Sequence, residues 1–161
     1  MARLVIVSNR VPIPKARGAS AGGLAVALRD LLTPGTLWFG WSGRLASEPA
    51  VAPAIVEARG VTYATIDLTS DAHRGYYVGF ANGALWPLLH FRLGLMQFHR
   101  EDYECYLSVN NSFARSLSTV LQPDDTLWAH DYHLIPLGRM LREQGFHGPL
   151  GFFLHLSLIH I

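Results

Sequence analysis

The chain opens on a short run of apolar, mostly β-branched residues, Leu4-Val-Ile-Val7, framed by Arg3 and Ser8. Four apolar positions without polar alternation predict a strand buried on both faces. A loop with Pro12 and Pro14 follows. From Ser20 onward Leu24, Ala27, Leu28, Leu31 and Leu32 recur at helical spacing, and Thr33-Pro34-Gly35 stops that helix. Ser20 fits as its N-cap, which puts Gly22 and Gly23 in the first turn. Thr36 to Ser42 and Val61 to Leu68 predict two further strands, and the Pro- and Ala-containing segment between them carries no assignable pattern. A helix is predicted over Thr69 to Phe80, broken by Asn82-Gly83. The longest apolar stripe is Tyr103, Tyr106, Leu107, Phe113, Leu117, Val120 and Leu121. It predicts a helix over Glu101 to Gln122, ended by Pro123. A strand (Thr126 to Ala129), a helix from Pro136 to near Gly145 and a last strand (Leu150 to His155) complete the pattern. Strand–helix–strand at both ends predicts a doubly wound α/β domain with a mainly parallel sheet.

Composition narrows the function classes. With 161 residues, 50% hydrophobic and 16% charged, the chain can bury one sizeable core. Its charged fraction is below the usual level of about 25%, the opposite of a disordered chain. Thirteen Lys and Arg against twelve Asp and Glu leave a formal charge of +1, so no basic footprint marks a nucleic-acid or membrane-surface partner. No apolar run approaches the ~18 residues of a membrane span. Leu4 to Val7 is also shorter than the ~7–15-residue apolar region of a secretory signal. A single cysteine, Cys105, excludes an internal disulfide and fits a reducing, cytoplasmic setting.

In an open α/β sheet, ligands bind beyond the carboxyl ends of the strands. Three predicted strands end in polar residues there: Ser8-Asn9-Arg10, His130-Asp131-Tyr132-His133, and His155. Each has a plain structural explanation, as a solvated arginine, a helix cap or a core histidine. Together, on one edge, they favour a binding cleft. Gly22 and Gly23, in a first helical turn, would let an anion approach free backbone N–H groups, or would simply relieve crowding. The pair matches neither the dinucleotide fingerprint nor a P-loop. His130-x-x-His133 offers two histidines at a ligand-like spacing but no accompanying acidic or cysteine set, so no metal is expected. Nucleophilic chemistry has no Gly-x-Ser-x-Gly elbow, and Cys105 falls inside the long helix. Trp41, between Gly40 and Gly43 at a strand end, offers an indole face to a sugar. Core packing is the alternative for it and for Trp38, Trp86 and Trp128.

Six segments in order then carry a family resemblance. They are Leu4-Val-Ile-Val-Ser-Asn-Arg10, Ser20-Ala-Gly-Gly-Leu24, Leu37-Trp-Phe-Gly-Trp-Ser-Gly43, Leu85-Trp-Pro87, Trp128-Ala-His-Asp-Tyr-His-Leu134 and Gly151-Phe-Phe-Leu-His155. In sequence and spacing they resemble the α,α-trehalose-phosphate synthases. The resemblance implies a retaining glycosyltransferase of two Rossmann-like domains, transferring glucose from UDP-glucose to glucose 6-phosphate without a cofactor. Arg10 would bind the acceptor phosphate, helped by Tyr77. Trp41, Trp86 and Asp131 would hold the acceptor sugar, with Asp131 taking hydroxyl hydrogen bonds. Gly22 and Gly23 would lie near the donor diphosphate, and His155 would contact the transferred glucose beside the reacting centre.

The family chains are about three times as long. Residues 1–155 are therefore expected to be the amino-terminal, acceptor-side domain, with the carboxyl-terminal domain as its missing partner. A full-length protein would be expected to form a homo-oligomer. After His155 the family continues into Pro-Phe-Pro, whereas this sequence reads Leu156-Ser-Leu-Ile-His-Ile161. That hexapeptide equals the in-frame translation of a transposase end used in sequencing libraries, so residues 156–161 are expected to be non-native. The fragment is expected to be inactive alone and prone to association. A related transferase acting on glycerol 3-phosphate, a non-catalytic sugar-phosphate-binding module, a purely structural domain and a metal-dependent hydrolase using His130 and His133 are the competing readings.

Overall fold

The computed structural model describes residues 2–13, 28, 32–50 and 52–156. The Ser20-capped helix, with Gly22 and Gly23, lies outside the described residues, as do the last five positions.

Six strands form one sheet: β1 (Leu4–Arg10), β2 (Leu37–Ala46), β3 (Ala54–Ala58), β4 (Val61–Thr69), β5 (Thr126–His130) and β6 (Leu150–Phe153). Their order is β3-β4-β2-β1-β5-β6, and every pairing is parallel except β3 with β4. β1 is central because Val5, Ile6 and Val7 are apolar on both faces, and all three are fully buried. After β4 the chain runs through α1 (Ser70–Ala72), a π-helix (His73–Leu85) and α2 (Trp86–Leu89). Two longer pieces complete the helical layer, α3 (Arg100–Ser118) and α4 (Leu137–Glu143). None of the described helices is long and apolar enough to cross a membrane.

On one face of the sheet, Val5, Val7, Phe39 and Ile66 pack against Tyr76, Phe113, Leu117, Leu137 and Leu141 from the helical layer. On the other, Ile6, Trp38 and Tyr63 meet Val11, Leu28 and Leu32. The α/β class and parallel sheet expected from the pattern are therefore present.

Five boundaries differ from expectation, the first being β2, which runs on to Ala46 rather than ending at Ser42, so that Trp41 lies within the strand. The unassigned segment holds β3, a hairpin partner of β4. Its two-residue turn, Arg59-Gly60, has φ of 55° and 78°, the positive values that match strand twist in a tight hairpin. Asn82-Gly83 does not break the helix, because the wider π turns continue through it to Leu85. α3 stops at Ser118, before Gln122. There Thr119 Oγ1 donates to the Ser116 carbonyl at 2.7 Å, and the chain turns back toward β5. β6 ends at Phe153 rather than His155, because its partner β5 ends at His130 and Asp131 N–H closes the ladder on the Phe153 carbonyl at 2.7 Å.

Candidate functional site

The chain goes from β1 to β2 on one side, and β5 lies on the other. The carboxyl end of β1 is thus a topological switch point, where such sheets open a crevice. Two groups of side chains meet there.

The first is built on a bulge in β1. Ser8 Oγ accepts from Trp38 Nε1 at 2.8 Å and donates to the Arg10 carbonyl at 2.9 Å. The β1–β2 register shifts between Ser8 and Arg10, so Arg10 pairs with Trp41 and Asn9 is the extra residue. Asn9 Oδ1 accepts from the buried Tyr76 hydroxyl at 2.9 Å. The Arg10 guanidinium sits 5.8 Å from the Trp41 ring centroid. Gly43 leaves room for it: φ there is 87°, and a β-carbon would come within 2.7 Å of Arg10 Nε. Trp41 is held by its Nε1 donating to the Arg44 carbonyl at 2.7 Å. Arg10 is exposed and has no ion-pair partner among the described residues.

The second group surrounds Asp131. Its backbone, at φ 81° and ψ 162°, occupies a region that only glycine enters freely. One carboxylate oxygen accepts from Tyr132 N–H at 2.9 Å. Burial raises the Asp131 pKa, while backbone N–H groups and the nearby His155 and His90 pull it down. His155, two residues beyond β6, is exposed, and its Nε2 lies 3.0 Å from His130 Nδ1.

An aromatic ladder joins the two groups. Trp41 lies 6.5 Å from Tyr77, and Tyr77 is stacked between His73 (5.2 Å) and His133 (5.4 Å, 13° between planes). His133 Nδ1 is 3.8 Å from an Asp131 oxygen. Burial lowers the His133 pKa to about 4, so this contact is dipolar rather than ionic at neutral pH. Arg10, Trp41, Tyr77 and Asp131 are thereby brought into one cluster. Trp86 is half-exposed on α2 and stacks on His90 at 4.4 Å. It shares no ring contact with Trp41 or Tyr77 among the described residues.

Sequence reasoning placed Asn9 at the polar end of β1 but gave no role to Asn9, Tyr76, His73 or Asn82, whose amide oxygen accepts from the Tyr132 hydroxyl at 2.9 Å. His73, Tyr76, Tyr77 and Asn82 all belong to the π-helix. Such turns recur at functional sites. His130 Nδ1 contacts His155, and the His133 ring stacks on Tyr77 with neither of its nitrogens hydrogen-bonded among the described residues. Among the described residues no group of three or more His, Cys, Asp or Glu could hold a metal ion. Burial pushes the Cys105 thiol pKa up, as for an unreactive cysteine. Trp38 is core, at 1% exposure.

The comparisons with known proteins agree with one another. The family described as glycosyltransferase family 20 matches residues 2–159. The trehalose-6-phosphate synthase of Sinorhizobium fredii is 49% identical over 160 residues, covering 97% of this chain and 34% of its own. That of Cronobacter sakazakii is 46% identical over 157 residues, covering 97% and 33%. The crystal structure of an α,α-trehalose-phosphate synthase (UDP-forming) from Burkholderia vietnamiensis superposes with a TM-score of 0.90 at 48% identity, over 96% of this chain and 33% of that one. A Burkholderia xenovorans enzyme of the same name, in complex with glucose-6-phosphate, superposes at 0.86 with 44% identity, over 97% and 34%. The chain spans about a third of the length of the relatives it matches. A family match over nearly every residue, with relatives close to half identical and folds this similar, means that the chain belongs to glycosyltransferase family 20.

Proposed function

We propose that residues 1–155 are the acceptor-side domain of a retaining transferase that moves glucose from UDP-glucose to glucose 6-phosphate, releasing UDP and trehalose 6-phosphate. The observation that carries this reading is the Arg10 guanidinium, without an ion-pair partner among the described residues, on the Trp41 face and joined through Tyr77 and His133 to the carboxylate of Asp131. A sugar phosphate asks for that combination: a cation for the phosphate, aromatic faces for the ring, a carboxylate to accept from hydroxyls. Similar proteins are bound with glucose-6-phosphate in one structure and UDP-2-fluoro glucose in another, which supports the substrate pair.

In this reading Arg10 and Tyr77 take the acceptor phosphate, Trp41 and Trp86 flank the sugar, and Asp131 orients its hydroxyls. His155 contacts the transferred glucose, and Gly22 and Gly23 offer backbone N–H groups to the donor diphosphate. The acceptor hydroxyl forms its bond to the anomeric carbon on the face from which UDP departs. The leaving phosphate oxygen takes the hydroxyl proton. The protein then needs no nucleophile of its own, and its contribution is orientation and electrostatic stabilisation. The rest of a family-length protein supplies the other wall of the donor site, and the 161-residue chain alone transfers nothing.

The test is UDP release by a protein that carries this chain at full family length. Release requires glucose 6-phosphate, and R10A lowers kcat/KM for that acceptor by about 10–100-fold, the loss of a charge-assisted phosphate contact. Equal turnover with glycerol 3-phosphate would move the acceptor assignment to the related transferase.

A further inference from the structure

His130 closes β5 with its ring buried, at 1% exposure. Trp128 lies against it at 4.3 Å between centroids, and the His155 ring is nearly parallel at 5.3 Å. The Phe153 ring, 4.6 Å from that of His155, closes the same cluster. His130 Nδ1 is 3.0 Å from His155 Nε2, while its own Nε2 is buried with no partner among the described residues.

One of the two rings must donate across that contact. If His155 donated, the His130 proton would sit on Nε2, an N–H sealed from water with nothing to receive it. If His130 donates from Nδ1, only a lone pair is left unpaired. Buried N–H groups without acceptors are the rarer defect in folded proteins. Burial, reinforced by His155, keeps the His130 pKa at about 4, so the ring is neutral at neutral pH.

We propose that His130 is a positioning residue: its Nδ1–H holds His155 by Nε2 and fixes the Nδ1–H tautomer of His155. The hydrogen on His155 Nδ1 is then the one its ring can offer to a ligand hydroxyl, which in the reading above belongs to the transferred sugar. That last step rests on the proposed function, whereas the tautomer does not. The hydrogen bond made by one ring nitrogen decides which tautomer the other presents.

The measurement is a two-bond ¹H–¹⁵N ring spectrum of the chain, without sugar, above the imidazole titration range. We expect His155 to carry its proton on Nδ1 with Nε2 as acceptor, and His130 likewise to carry its proton on Nδ1. H130N, which keeps a donor at that place, preserves the His155 pattern. H130F keeps the ring shape without the donor, and His155 shifts toward the Nε2–H form. A proton on His155 Nε2 in the unmodified chain would overturn the proposal, as would an unchanged His155 pattern in folded H130F. The unmodified spectrum decides the question even if H130F does not fold. Separately, UDP-glucose binding by a family-length protein that H155A leaves intact would overturn the functional reading of His155 while the tautomer stood.

Discussion

Asp131 holds a backbone conformation that costs of order 1–3 kcal/mol in a residue with a β-carbon. It stands where β5 gives way to the cleft, so its carboxylate is aimed by the turn rather than by a flexible side chain. Two histidines beside it carry a measurable consequence. The pKa values of His130 and His133 are lowered from 6.5 to about 4, chiefly by burial. Between those values the unfolded chain binds protons that the folded chain refuses. Their contribution is therefore complete above pH 6.5 and is lost as pH falls toward 4. Asp131, whose pKa is raised, works in the opposite sense and offsets part of this. Thermal unfolding should show Tm falling as pH is lowered from about 7 to about 5. A Tm that rises over that interval would contradict the burial of these rings as neutral species. At this scale the sequence marked Arg10, Asp131 and His155 by their place at strand ends. His130 and His133 stood beside them, but only the packing around each ring tells a ligand from a wedge.

At the scale of elements, the π-helix does most to assemble the site. It delivers His73, Tyr76, Tyr77 and Asn82, and its small residues let it lie close against α3. A β-carbon on Gly75 would come within 2.8 Å of both the Cys105 β-carbon and sulfur, and one on Gly79 would overlap the Asp102 carboxylate. G75A should therefore destabilise the fold by about 1–3 kcal/mol, the usual cost of overpacking. It should also weaken sugar-phosphate binding, since Tyr76 and Tyr77 move with the helix. Denaturant unfolding of G75A checks the first effect, and an unchanged midpoint would contradict the close approach. The sequence pattern misread this element because periodicity is scored at 3.6 residues per turn, and π turns are wider. Asn82-Gly83 reads as a breaker for the same reason. β1, β4, α3 and β5 were legible because each keeps one unbroken apolar run or stripe. β3 was not, since its exposed edge carries no alternation to find.

For the whole molecule, strand order decides where chemistry can occur. β1 lies between β2 and β5, so the bulge carrying Arg10 and the turn carrying Asp131 sit at the same end of the sheet. Neither the order nor the antiparallel edge strand follows from a pattern of apolar positions, because pairing is settled by tertiary packing. Phe91, Leu93, Leu95 and Phe98 stay exposed along the segment before α3, and Phe152 and Phe153 along β6. In the proposed reading, the carboxyl end of β1 binds a sugar phosphate through Arg10. Calorimetric titration of the chain with glucose 6-phosphate tests it most directly, with glucose as the control and R10A beside the unmodified protein. The expected result is binding of glucose 6-phosphate, weaker binding of glucose, and a loss of about tenfold or more in R10A. No binding, or binding of glucose 6-phosphate that R10A leaves unchanged, would contradict it.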